Sequence, residues 1–178
     1  MNVKTAISIF FMAIITLLFG SCATIPVGVV AIKPFNKAKY LGKWYEIARF
    51  DFTFERNLNN TTAQYSINDD GAIKVVNRGY NYQKKKWKEA TGIAKFVGAD
   101  DVAMLKVAFF RPFYGGYNVI AIDNDYKYAL VCGNNLSYLW ILSRETTIPE
   151  NIKNDYLALA KKIGFKTSEL IWVEHDKK

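Results

Sequence analysis

Cysteine and histidine are almost missing from this 178-residue chain: it holds only Cys22, Cys132 and the single His175. Two cysteines allow one disulfide at most. If Cys22 is consumed by modification, Cys132 has no partner, and the fold must stand on its hydrophobic core. Cys132 closes the apolar run Tyr128-Ala129-Leu130-Val131-Cys132, where a thiol reads as a small buried hydrophobe rather than a nucleophile. His175 has no catalytic partner in sequence and reads as a surface residue. No His, Cys, Asp or Glu cluster has metal-ligand spacing, and no glycine-rich phosphate loop occurs, so no metal or other cofactor is expected. The formal charge is +8, but the basic residues are scattered. Their densest run, Lys84-Lys85-Lys86 with Lys88 nearby, reads as a solvated loop between strands, which leaves nucleic acid without support as a partner.

Also lacking is an apolar run long enough to cross a bilayer, which takes about twenty residues. The run from Ala6 to Gly20 is shorter, is preceded by Lys4, and leads through Phe19-Gly20-Ser21 to Cys22. That layout is similar to the secretory signal of bacterial lipoproteins, with Phe19 in place of the usual aliphatic residue and Ser21 at the cleavage position. The similarity implies a signal peptide over 1–21, a lipid thioether on Cys22, a lipid-anchored linker over 22–36 and one domain over 37–178. Ala23-Thr24-Ile25-Pro26 contains no acidic residue, which under Gram-negative sorting rules favours the outer membrane, on its periplasmic side. The positive charge left after cleavage favours contact with anionic headgroups.

From Tyr40 to Ser143 the chain is a succession of short β-branched and aromatic segments separated by turn signals such as Asn68-Asp69-Asp70-Gly71 and Gly133-Asn134-Asn135. The segments 43–50, 61–67, 73–80, 91–96, 103–110, 117–122, 128–132 and 138–143 predict a mainly β fold. Eight strands is the number that closes an antiparallel up-and-down barrel around one small ligand. After Arg144 the period changes: Ile152, Tyr156, Leu159, Ala160 and Ile163 form the stripe of one amphipathic helix, with Pro149 before it and Gly164 after it. This helix packs outside the barrel, and a short last strand, 170–173, follows.

Gly42-Lys43-Trp44-Tyr45, paired with the distant Arg144, resembles the signature of the lipocalins, whose tryptophan lies across the closed end of the barrel with the arginine packed over it. Ile122-Asp123-Asn124-Asp125-Tyr126 only approximates the family's middle motif. The strings from Trp44 to Phe50, Phe109 to Ala121 and Tyr138 to Arg144 resemble the bacterial outer-membrane lipoprotein branch of that family, related to apolipoprotein D and the plant temperature-induced lipocalins. The resemblance implies a calyx, with Trp44 and Arg144 as its floor, that holds fatty acids or lysophospholipids for storage or transport in envelope maintenance; a homodimer is also plausible from the family.

Strand parity then assigns an inner wall. Counting from Trp44 places Glu46, Ala48 and Phe50 inward; counting back from Arg144 places Leu142, Trp140 and Tyr138 there. Tyr65, Phe96, Phe109, Tyr117 and Val119 complete an aromatic, largely neutral lining suited to an acyl chain. An inward Glu46 must be paired, hydrogen-bonded or protonated, and reads as an acceptor for buried Tyr or Arg donors. Enzymatic activity is not expected, since no nucleophile with an adjacent base is in evidence. A filled barrel serving as a platform for other envelope proteins is the main alternative, with a lipocalin-type enzyme behind it.

Overall fold

The computed structural model describes residues 24–177. The expected signal peptide and Cys22 lie outside the described residues. Eight antiparallel strands follow one another: β1 (Gly42–Arg49), β2 (Leu58–Ile67), β3 (Ile73–Asn81), β4 (Lys86–Phe96), β5 (Met104–Phe110), β6 (Phe113–Ile122), β7 (Tyr128–Cys132) and β8 (Leu139–Ser143). Each pairs with the next, and β8 returns to β1, so the ring is closed. Helix α1 (Lys37–Tyr40) precedes the ring; α2 (Glu150–Ile163) and the short β9 (Ile171–Trp172) follow it. This is the expected barrel, outer helix and final strand.

Turn chemistry fixes the corners. Gly71, at φ 78°, closes the β2–β3 turn, and Asp70 accepts from the Ala72 amide. Asp123 accepts from the amides of Asp125, Lys127 and Tyr128 and so shapes the β6–β7 turn. Three strands start at least three residues earlier than the hydrophobic pattern predicts: β2 at Leu58, β6 at Phe113 and β4 at Lys86. In β4 the side chains from Lys86 to Thr91 are all exposed, so no alternation marks them, yet their backbone pairs with β3 as far as Asn81↔Lys86. Lys86 and Lys88 therefore belong to a strand rather than to a loop.

Because the strands alternate in direction, the loops sort by end. Segments 50–57, 82–85, 111–112 and 133–138 ring the open end; 68–72, 97–103 and 123–127 ring the closed end. Residues 24–35 run along the barrel wall toward the closed end. The Ile32 amide donates to the Val119 carbonyl and the Phe35 amide to that of Asp101, while Ala31 and Phe35 are buried in the core.

Two apolar clusters result. One lines the barrel interior, with Trp44, Tyr65, Val75, Leu105, Val119 and Leu142 among its buried members. The other lies outside, where Tyr156 and Ala160 of α2 cover Leu130, Cys132, Leu139 and Ile141. Pro149 caps the start of α2, and Gly164, at φ 111°, ends it with its amide on the Ala160 and Lys161 carbonyls. The Tyr156 hydroxyl donates to the Tyr128 carbonyl, pinning the helix to β7.

The ring has one irregular seam. Strands β1 and β2 pair only from Gly42↔Tyr65 to Tyr45↔Thr62; beyond that a bulge interrupts each strand, and the C-terminal tail enters the gap. Val173 donates to the Ile47 carbonyl, Asn60 donates to the Glu174 carbonyl, and a ring nitrogen of His175 lies 2.9 Å from the Glu46 carbonyl. His175 is thus half-buried against β1, edge-on to Tyr45, and is not a free surface residue.

Candidate functional site

The closed half of the interior is built from aromatic rings. Trp44 is fully buried, its indole N–H donating to the Tyr40 carbonyl at 2.8 Å. The Arg144 guanidinium lies 3.8 Å from the Trp44 ring centroid and donates to five carbonyls: those of Lys39, Tyr40, Leu41, Lys43 and Tyr126. Such a planar fork satisfies the carbonyls at the C-terminus of α1 while its face covers the indole. Gly42, at φ 95°, sits under Arg144; a Cβ there would lie 3.3 Å from Nη1.

Above this floor three tyrosines share their hydroxyls. Tyr117 is the hub, 2.6 Å from the Tyr40 hydroxyl and accepting from Tyr65 at 2.8 Å. Burial pushes all three phenols above their ordinary value, so they stay neutral at physiological pH. Val119 is buried beside them, and Phe96 and Phe109 pack against the same cluster, Phe96 next to Phe35 near the closed end. The tyrosine floor and these wall residues present apolar surface whose polar atoms are already paired.

The open half differs. Glu46 faces inward, as parity predicts, and accepts from Thr61 at 3.0 Å. A bulge between Glu46 and Ala48 then shifts the register, so Ala48 pairs with Ile141 and Arg49 with Trp140. A one-residue slip exchanges the faces of a strand. Ala48 and Phe50, expected on the cavity wall, belong instead to the cluster beneath α2, and the inward position falls to Arg49, which is 2 % exposed.

Arg49 holds the β1–β2 loop in place. Its guanidinium donates to the carbonyls of Phe50, Glu55 and Leu58. Nε lies 2.9 Å from Glu46 and 4.0 Å from Glu55, although its N–H is not aimed for a hydrogen bond, so the contact with Glu46 is ionic rather than directed. Glu55, also buried, accepts from the Trp140 indole at 3.2 Å. Phe52 stacks beside Trp140 and Tyr138 at 4.7 and 5.2 Å between centroids. Burial, together with the neighbouring Glu55, raises the Glu46 carboxyl well above its ordinary range; burial raises Glu55 as well, partly offset by Trp140 and Arg49. Two buried carboxyls share one buried guanidinium. On β3, across β2 from this cluster, the buried Asn77 Oδ1 has no hydrogen-bond partner among the described residues.

Arg49 and Glu55 escaped the sequence reading, as did Tyr40 and Phe35, and Phe52, which reads from sequence as an exposed loop residue, is buried. Arg49, Glu55 and Phe52 depend on a bulge and a folded loop, which hydrophobic alternation does not encode. Cys132 lies under α2 and burial pushes its thiol up to about 12, which leaves it an unreactive hydrophobe. Among the described residues no group of three His, Cys, Asp or Glu side chains could hold a metal ion. The residues gathered here give the interior a largely apolar, aromatic lining; the charged groups are consumed by contacts with one another and with the backbone.

The lipocalin-like domain family matches residues 35–175. The chain is 53% identical over 154 residues to the outer membrane lipoprotein Blc of Citrobacter freundii, an alignment covering 86% of this chain and 87% of that protein. It is 44% identical over 165 residues to the protein of the same name from Vibrio cholerae, covering 92% and 96%. Its fold is similar to that of insecticyanin from the tobacco hornworm Manduca sexta, with a TM-score of 0.68 at 15% identity over 85% of this chain and 86% of that one.

Proposed function

The chain belongs to the lipocalin family, and from that premise we propose that it is a lipid-anchored, non-enzymatic carrier that holds fatty acids or lysophospholipids in its barrel for storage or transport in envelope maintenance. The observation that carries this reading is the neutral aromatic interior above the Trp44–Arg144 floor. An acyl chain gains about 0.8 kcal/mol for each methylene it withdraws from water, and a lining whose tyrosine hydroxyls are already paired asks for no polar partner in return. The proposed wall comprises Tyr65, Phe96, Phe109, Tyr117, Val119 and Trp140, with Tyr138, which packs beside Phe52 and Trp140, at its open end; the Asn77 Oδ1, without a partner among the described residues, is the proposed acceptor for a headgroup donor.

Location follows the same route. The relatives are named outer membrane lipoproteins, and the sequence at Cys22 supports lipid attachment there, so the proposed site of action is the outer membrane, facing the periplasm. Native mass spectrometry of the lipidated chain, followed by extraction and identification of bound lipid, tests the reading. A stoichiometric acyl-chain ligand that added lysophospholipid displaces is the expected result. A barrel that is empty and refuses both ligand classes overturns it in favour of the platform alternative, to which the Arg49–Glu46–Glu55 cluster filling part of the interior would then belong.

A further inference from the structure

The exposed apolar side chains are not spread evenly. Phe110 and Phe113, 81% and 78% exposed, flank the β5–β6 turn; Phe54, Tyr82, Tyr114 and Leu136 stand on the other open-end segments or next to them. Monomer surfaces rarely gather so many aromatic rings at one end without a use for them. Lys84, Lys85, Lys86 and Arg111 lie among these rings. The acidic residues on or beside these segments are Asp51, already paired with Arg56 at 3.1 Å, the buried Glu55, Glu89 opposite Arg78 across β3 and β4, and Glu174 and Asp176 of the C-terminal tail, which accept from the Asn59 and Asn60 side chains. The closed-end loops carry Asp69, Asp70, Asp100, Asp101, Asp123 and Asp125, of which Asp100, Asp101 and Asp125 pair with Lys37, Lys33 and Lys127.

The tether is short as well. The first described residue, Thr24, gives its carbonyl to the Asn118 side chain at 2.8 Å and lies against Gly116 and Asn134, on the side of the barrel where the β7–β8 loop begins. Cys22 is two residues further out, so its sulfur lies within about 7–10 Å of Thr24, since a chain spans at most ~3.6 Å per residue. A diacylglycerol there leaves no long leash. It holds this wall close to the headgroups, with the β7–β8 loop and the Phe110–Phe113 hairpin, which leads into Gly116 on β6, at the same end.

We propose that the open end of the barrel docks on the anionic bilayer to which the chain is tethered, Phe110 and Phe113 entering the interfacial layer and Arg111 with Lys84–Lys86 meeting lipid phosphates. Aromatic rings and basic side chains are the pair that membrane interfaces select. The mouth of the calyx then faces the source of its ligand, and lipid passes between bilayer and barrel without crossing bulk water. This inference rests on the Cys22 anchor and on the carrier function proposed above.

The test uses the full lipidated chain in vesicles of phosphatidylethanolamine and phosphatidylglycerol. A polarity-sensitive fluorophore is attached through Leu136→Cys at the open end or Asp69→Cys at the closed end; Cys132 is buried and does not compete for the label. Brominated lipids are expected to quench the Leu136 label several-fold more than the Asp69 label. Phe110→Ser with Phe113→Ser removes that difference, while the protein still floats with the vesicles on its anchor and still carries co-purified lipid. Equal quenching at both ends, or a difference that survives the double substitution, overturns docking and leaves the anchor standing. A wild-type chain that neither floats nor shows quenching overturns both. Concentration-dependent excimer emission from pyrene at Leu136, without lipid quenching, assigns the rim to a second copy of the chain and also overturns the proposal.

Discussion

The two halves of the barrel interior are made on different terms. In the closed half every strong polar group found a neutral or backbone partner: the Trp44 indole on Tyr40, three phenols on one another, Arg144 on five carbonyls. In the open half two carboxyls and a guanidinium are buried together, bulges break the ladder, and a loop is held down by the charge inside. Neutral stacking gives the floor a rigidity that does not depend on pH, whereas a buried ion cluster survives only while its members balance. The contrast indicates which end can yield to a ligand.

Four measurements break or sharpen that contrast. Trp44→Ala is expected to cost the most, about 3–5 kcal/mol in denaturant unfolding, because it removes a fully buried indole and the surface on which Arg144 stacks. A loss below about 2 kcal/mol would mean that the floor is not the rigid half. Arg49→Met comes next, about 3–4 kcal/mol, since it leaves Glu46 and Glu55 without their counter-charge. Adding Glu46→Gln and Glu55→Gln should restore most of that loss; if it does not, Arg49 acts through its carbonyl bonds rather than its charge. Tyr117→Phe, by contrast, is expected to cost only about 1–2 kcal/mol, the penalty for depriving two buried hydroxyls of their hub.

The smallest effect is a slope with pH. Glu55 is raised from an ordinary value of 4.5. Below that value both folded and unfolded chains hold the proton, and stability is complete. As pH rises the unfolded chain releases the proton first, so stability falls until the folded group also titrates, at a rate bounded by about 1.4 kcal/mol per pH unit for one proton. Glu55→Gln keeps an acceptor for Trp140 and should flatten this decline in unfolding midpoints measured from pH 4 upward. An unchanged slope would move the excess proton to Glu46.

Alternation made much of this legible. Lys74 and Arg78 turned outward leave Ile73 and Val75 in the core; Lys106 outward leaves Leu105, Val107 and Phe109 facing in; Leu142 and Trp140 follow from β8. The same rule failed at Ala48 and Phe50 for a physical reason. Strand β1 is covered on both faces, by the interior and by α2, so Ile47-Ala48-Arg49-Phe50 shows no polar side to reveal the bulge. The one signal was Arg49 itself, a charge set among apolar neighbours three residues from Glu46. Strand β4 failed conversely: from Lys86 to Thr91 neither face is covered, so its backbone pairing left no mark on the residue pattern.

Four of the carbonyls that Arg144 bonds precede it by 101 to 105 residues, and β8 closes onto β1 across a span nearly as long. Until residue 144 has been delivered, therefore, the first strand has no eighth to meet, and the indole at position 44 has no cover. Entropy resists so long a loop, and contacts of this separation form late. The proposed lipid-anchored carrier, exported as an unfolded chain, would gain from that delay: its architecture withholds completion until residue 144 has arrived.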